Sequence, residues 1–193
     1  MRRHVAILVF DQVEILDFAG PHEVFGVADE VRGGKDFHVS TVAAQPGPIT
    51  TRHGLRILPT YTFADCPSPH LLVVPGGYGT RALVDDAATI AWIRATAAAA
   101  ELTMSVCTGA VLLGRAGLLD GLRATTHHEC LDLLREHAPR TDVVGTERFV
   151  DNGRILTAAG ISAGIDCALH VVQRLLGADA AADTARYMEY RRA

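Results

Sequence analysis

Val5-Ala6-Ile7-Leu8-Val9-Phe10 is an unbroken apolar run of strand length, and Leu71-Leu72-Val73-Val74 is a second. Runs without polar alternation are expected of strands buried on both faces, as in a parallel sheet. Leu102 to Val106 is a short run with β character, stopping at Cys107. Phe37 to Ala44 alternates well enough for another strand, which Pro46-Gly47-Pro48 ends. Between these runs lie helical patterns. One is expected from about Pro21 to Val31, with Gly20 and Pro21 as N-cap and first helical position and Gly33-Gly34 as the stop. Others are expected over Asp86 to Ala100, for about ten residues after Cys107 to Gly114–Gly117, and from His127-His128-Glu129 to near His137. A long apolar helix should follow the glycine-spaced run 160–166 through Leu176, and a polar one Ala178 to Arg191.

Shorter signals fill the gaps. Apolar pairs between Ile49 and Tyr61 around His53-Gly54 suggest a peripheral hairpin, and Phe63 to Pro67 a helical turn. Arg123 to Thr126 reads as a short strand, and Asp151-Asn152-Gly153 as the turn of a hairpin. Strands alternating with helices predict an α/β fold, with a mainly parallel sheet covered on both faces. No linker or internal repeat divides residues 1–193, so one domain is expected.

Composition narrows the class. About half the residues are apolar and 21% are charged, as in a globular protein. The formal net charge is −4 and the basic residues are scattered, apart from Arg2-Arg3 and Arg191-Arg192. That gives no basic face for nucleic acid. No secretory signal pattern and no membrane-length apolar stretch is present, so a cytoplasmic location is expected. The four cysteines show no CxxC spacing, which suggests neither a zinc ribbon nor a dithiol redox pair. Cys66, Cys130 and Cys167 read as small buried hydrophobes.

Cys107 reads differently. A β run, one thiol, a small residue and a glycine opening a helix place that thiol on a sharp strand-to-helix turn, at the sheet edge where ligands bind. The following helix start is expected to favour the thiolate. Asp17, read as lying in the connection after the first strand, is expected at the same edge. Pro75-Gly76-Gly77-Tyr78-Gly79 gives a backbone that a ligand can approach closely, without either phosphate-loop pattern, GxGxxG or GxxxxGKS/T.

Gly76-Gly77 after a strand, Ser105-Val106-Cys107-Thr108-Gly109, Arg123-Ala124-Thr125-Thr126-His127 and Ala159-Gly160-Ile161-Ser162-Ala163-Gly164-Ile165-Asp166 together resemble the DJ-1/PfpI superfamily over essentially the whole chain. The resemblance implies a flavodoxin-like three-layer sandwich and a homodimer. Two branches are similar: the isocyanide hydratases, through Leu16-Asp17-Phe18-Ala19-Gly20-Pro21-His22-Glu23 and Thr125-Thr126-His127, and the amidotransferase-like sensory domain of AraC-type regulators. The sequence ends at Ala193, so similarity to those regulators is expected to stop short of their DNA-binding units.

For a hydratase, the resemblance implies Cys107 as nucleophile, Asp17 as acid and base, and the N–H groups of Gly77 and Thr108 as donors to developing charge. Gly76, the Thr108 hydroxyl and His127 join them around a small-molecule substrate. No metal or organic cofactor is implied. The alternative for His127 is a structural histidine at a helix start, and Asp166 is read as bonding backbone near the glycine run. Thr108 and Asp17 depart from the histidine and glutamate common in the superfamily's proteases and deglycases, although glyoxalase or deglycase chemistry at the same thiol stays open. His128 departs from the tryptophan frequent in hydratases and regulators, implying a more polar substrate.

Overall fold

The computed structural model describes residues 2–191; Arg192 of the C-terminal basic pair lies outside them. The elements, in chain order, are β1 (Arg3–Leu8), α1 (Ile15–Glu30), β2 (Phe37–Ala43), β3 (Ile49–Thr50), β4 (Arg56–Ile57), β5 (Tyr61–Thr62) and β6 (Leu71–Val74). They continue with α2 (Thr80–Leu83), α3 (Ala87–Ala99), β7 (Leu102–Val106), α4 (Gly109–Arg115), β8 (Arg123–Ala124), a 3-10 turn His128–Cys130, and α5 (Leu131–His137). The remainder is β9 (Asp142–Val143), β10 (Phe149–Asp151), β11 (Ile155–Ala158), α6 (Ala163–Leu176) and α7 (Ala178–Tyr187).

The main sheet has the order β10-β11-β7-β6-β1-β2-β5. Its pairings are parallel except for the β10–β11 hairpin at one edge. Its five core strands run 2-1-3-4-5, the flavodoxin-like order, which reverses between β1 and β6. Helices α1, α6 and α7 pack together on one face, and α4 packs with α2, α3 and α5 on the other, making three layers. Every residue of β6 and β7 is buried, as the unbroken apolar run of β6 requires of a strand covered on both sides; in β7 the polar Thr103 and Ser105 are buried along with their apolar neighbours.

Register brings the reactive turns together. Val74 pairs with Ser105 and Ala158 with Val106, so β6, β7 and β11 end level with one another. Pro75-Gly76, Cys107 and Ala159 therefore leave the sheet at one edge. Gly164 explains part of the glycine-spaced run: a Cβ there would meet the Val106 side chain at 2.9 Å, so its absence lets α6 lie on β7 just before Cys107.

Several expectations need correction. Helix α1 begins at Ile15, so Gly20 and Pro21 lie inside it and Asp17 sits in its first turn rather than in the preceding connection. Packing accounts for the difference: a Cβ on Gly20 would meet Ile165 of α6 at 3.0 Å, so Gly20 is a point of close approach and not a cap. Tyr61–Thr62 joins the edge of the main sheet, outside the β3–β4 hairpin. Phe63 to Asp65 is a turn held by Asp65 accepting from the Thr62 N–H at 2.6 Å. Helix α7 ends at Tyr187, short of Arg191.

Candidate active site

Cys107 adopts φ 55°, in the left-handed region that L-residues seldom occupy, at a cost of about 1–3 kcal/mol. Neighbouring groups hold it there. Its N–H donates to the carbonyls of Ala158 and Ala159 at 3.1 and 3.0 Å, and its own carbonyl accepts from the Thr126 hydroxyl at 2.7 Å. Thr125 N–H in turn donates to Thr157 Oγ1 at 2.9 Å. The Thr-Thr pair is thus the clamp on the cysteine turn.

The glycines after β6 make the facing wall. Gly76 approaches so closely that a Cβ would lie 2.5 Å from Thr108 N and 3.0 Å from Asp17 Oδ2. Gly77, at φ 134°, forms an isolated bridge with Val13, and the Gly76 carbonyl accepts from Glu14 N–H at 2.9 Å. The β1–α1 connection is tied in this way to the β6 turn, bringing Asp17 to Cys107 from ninety positions away.

Asp17 is wholly buried. Its Oδ2 accepts from Gly76 N–H at 3.0 Å, while Oδ1 has no hydrogen-bond partner among the described residues. Burial raises its pKa to about 7; the Gly76 N–H offsets part of that rise, the Glu14 charge adds to it, and the neighbouring Cys107 thiol lowers it slightly. Burial pushes the Cys107 thiol well above its ordinary range and the Asp17 charge pushes it further, against the pull of the Thr108 N–H. The expected thiolate preference is therefore corrected. Desolvation and a carboxylate neighbour outweigh the start of a seven-residue helix.

Thr108 and Gly77 also differ from expectation. The Gly77 N–H does not face an open hole: it donates to the Thr108 hydroxyl at 3.0 Å. Thr80 Oγ1 donates to Gly77 O at 2.8 Å and lies 3.1 Å from Thr108 Oγ1, completing a buried knot. His127 caps the 3-10 turn, its Nδ1 accepting from Glu129 N–H at 3.3 Å, and its ring stacks on His128 at 4.4 Å. Burial and the neighbouring His128 lower its pKa, and the Nδ1 bond leaves Nε2–H as the donor of the neutral ring. Asp166 pairs with Arg148 at 2.7 Å and accepts from the Tyr190 hydroxyl at 3.0 Å, a side-chain role in place of the expected backbone one.

Cys107, Thr108, Gly77 and His127 line one cavity of about 90 Å³. Asp17, wholly buried, is not part of the lining. Glu14, Arg52, Tyr78 and Arg81 complete much of the wall and were not anticipated. Arg52 gets there because the β3–β4 hairpin docks on the β1–α1 connection, through Gln12 N–H to Thr50 O at 2.7 Å and Arg52 N–H to Val13 O at 3.0 Å. Cys130 also lines the cavity and Cys66 is half-buried, so only Cys167 is the fully buried hydrophobe expected of all three. Among the described residues no group of three or more His, Cys, Asp or Glu side chains is placed to hold a metal ion, and no helix is long and apolar enough to cross a membrane.

A sequence model of the DJ-1/PfpI family matches residues 3–174. The chain is 40% identical over 191 residues to the isonitrile hydratase of Pseudomonas putida, covering 98% of this chain and 79% of the relative. It is 27% identical over 188 residues to the HTH-type transcriptional regulator GbdR of Pseudomonas aeruginosa, covering 97% of this chain but 51% of the regulator. The solved structure of a THiJ/PfpI family protein from Pseudomonas syringae superposes with a TM-score of 0.89 at 35% identity, covering 100% of this chain and 77% of that one.

Proposed function

The chain belongs to the DJ-1/PfpI family, and on that premise we propose that it is a cofactor-independent hydratase, a lyase that converts a small organic isocyanide to the N-formamide. The observation that carries this reading is the pairing of a thiol on a strained turn with a wholly buried carboxyl whose pKa is about 7. A group titrating there takes and returns a proton near neutral pH. The 40% identity to an isonitrile hydratase supports the substrate class. A cavity of about 90 Å³ suits a substrate smaller than those of the roughly 300–1,000 Å³ pockets that hold drug-sized ligands.

In the proposed reaction Cys107 Sγ attacks the terminal isocyanide carbon as Asp17 accepts the thiol proton. Asp17 returns that proton to the same carbon, giving a thioimidate on Cys107. Water adds to the thioimidate carbon, its second proton passing to nitrogen through Asp17. Collapse then expels the Cys107 sulfur, which regains a proton, and releases the formamide. The net change is addition of one water. The Thr108 N–H, which pulls the thiol pKa down, is the donor to developing charge. Gly77 N–H joins it only when the Thr108 hydroxyl rotates away. His127 contributes its Nε2–H to substrate binding. The same reading takes residues 1–193 as one cytoplasmic domain working as a homodimer, on the family resemblance.

A second reading, a sensory domain that binds a ligand without turning it over, is favoured by the closed Gly77–Thr108 contact and by the similarity to a transcriptional regulator. The test is to incubate the purified chain with an aryl isocyanide and, separately, with methylglyoxal, and to follow products by NMR. Formamide from the isocyanide supports the hydratase, lactate from methylglyoxal a glyoxalase, and ligand binding with no product the sensor.

A further inference from the structure

The cavity has a charged side that the hydration chemistry leaves unused. The guanidinium groups of Arg52 and Arg81 both lie over the Tyr78 ring, 4.5 and 4.6 Å from its centroid. Arg52 is committed to Glu14, with Nη1 3.2 Å from Oε2. Arg81 is not: among the described residues no carboxylate lies within 4 Å of it, although it borders both the cavity and an adjoining cleft lined by Asp85 and Glu136. Glu129 also lines the cavity and forms no ion pair with Arg81.

The position of Arg81 is not left to a free loop. The preceding residue, Thr80, is buried and tied to Gly77 O and to the Thr108 hydroxyl. The backbone that carries Arg81 is therefore fixed to the same knot that holds the residue after the nucleophile, while its exposed guanidinium lies over the Tyr78 ring.

We infer that Arg81 forms an anion subsite, and that the substrate class is a small isocyanide bearing a carboxylate. Arg81, with no carboxylate within ion-pair distance among the described residues, presents a planar fork of donors that matches a monoanionic carboxylate in a bidentate pose, with the unpaired Glu129 elsewhere in the lining. The small cavity keeps that carboxylate within a few bonds of the carbon attacked by Cys107. The reaction part of this inference rests on the hydratase reading; the subsite itself does not.

The test compares isocyanoacetate with its methyl ester, which share a skeleton and differ in charge. The wild type is expected to prefer the acid by about tenfold or more in kcat/KM, and Arg81→Met to bring that ratio close to one. Arg81→Lys should keep part of the preference through its point charge. Equal kcat/KM values for acid and ester in the wild type, or an unchanged ratio in Arg81→Met, would overturn the inference. If neither compound is turned over, the hydratase reading fails, and calorimetric binding of N-formylglycine against its methyl ester decides the subsite. Tighter binding of the acid, lost in Arg81→Met, sustains it; equal or absent binding overturns it.

Discussion

Asp17 and Cys107 control each other's ionisation: the neighbouring thiol draws the carboxyl pKa down a little, while the carboxylate charge drives the thiol pKa up. Two coupled groups of this kind titrate as a pair. With one proton between them, the pair has a carboxylate ready to take the proton of a thiol that attacks. With two, it does not.

Activity is therefore predicted to rise with pH through an apparent pKa of about 7 and then hold level through the mildly alkaline range. Asp17→Asn keeps an acceptor for Gly76 N–H but cannot move the proton, and should lower kcat by about 10²-fold or more. A pH–rate profile of both proteins checks this. A wild-type profile flat across pH 7, or an Asp17→Asn enzyme of near-normal rate, would argue against Asp17 as the base.

The same carboxyl makes a stability prediction. A folded-state pKa of about 7 against an ordinary 3.8 means that the stabilising contribution is complete below about pH 4 and is lost as pH rises through 7, when a buried charge must form. Asp17→Asn should consequently be more stable than the wild type at pH 8, by about 1–3 kcal/mol, with the gap shrinking toward pH 4. Thermal melts at the two pH values measure it. A gap of the opposite sign would show that the carboxylate is solvated.

Cys107 is predicted to react sluggishly with iodoacetamide near pH 7, at a rate that keeps climbing to about pH 10, since its thiol is pushed up by burial and by Asp17. Peptide mapping of alkylated Cys107 across pH reads this directly. A rate already level at neutral pH would mean a preformed thiolate.

Thr126→Val removes the hydroxyl that donates to the Cys107 carbonyl and leaves that carbonyl without its side-chain partner. Because that carbonyl still accepts from the Ala110 N–H at 3.3 Å, a loss of about 0.5–1.5 kcal/mol is expected, seen as a lower urea midpoint with an unchanged slope. Because the lost bond holds the strained turn, activity should fall as well. A variant equal to the wild type in both would show that Thr126 does not clamp the cysteine turn.

Much of this architecture is legible in the sequence. The apolar runs of β1 and β6 have no polar face to mislead, and the Asp151-Asn152-Gly153 hairpin falls where its turn residues put it. The cysteine turn is legible because a thiol between a β run and a glycine-led helix has few other places to be. The start of α1 is not, because Gly20 and Pro21 carry the local signal of a helix start while Ile165, far along the chain, determines what Gly20 is for. Arg52, Tyr78 and Arg81 are equally hidden. They meet only because a two-rung hairpin folds back on the β1–α1 connection. The raised thiol pKa belongs to the same category, since it follows from burial and from a partner ninety residues distant.

The most direct test of the central claim is the steady-state rate of formamide production from an aryl isocyanide by the wild type and by Cys107→Ala, assayed side by side. Turnover is expected of the wild type, and of Cys107→Ala a rate indistinguishable from the uncatalysed background. Turnover that survives in Cys107→Ala, or none in the wild type across several isocyanides, would contradict it.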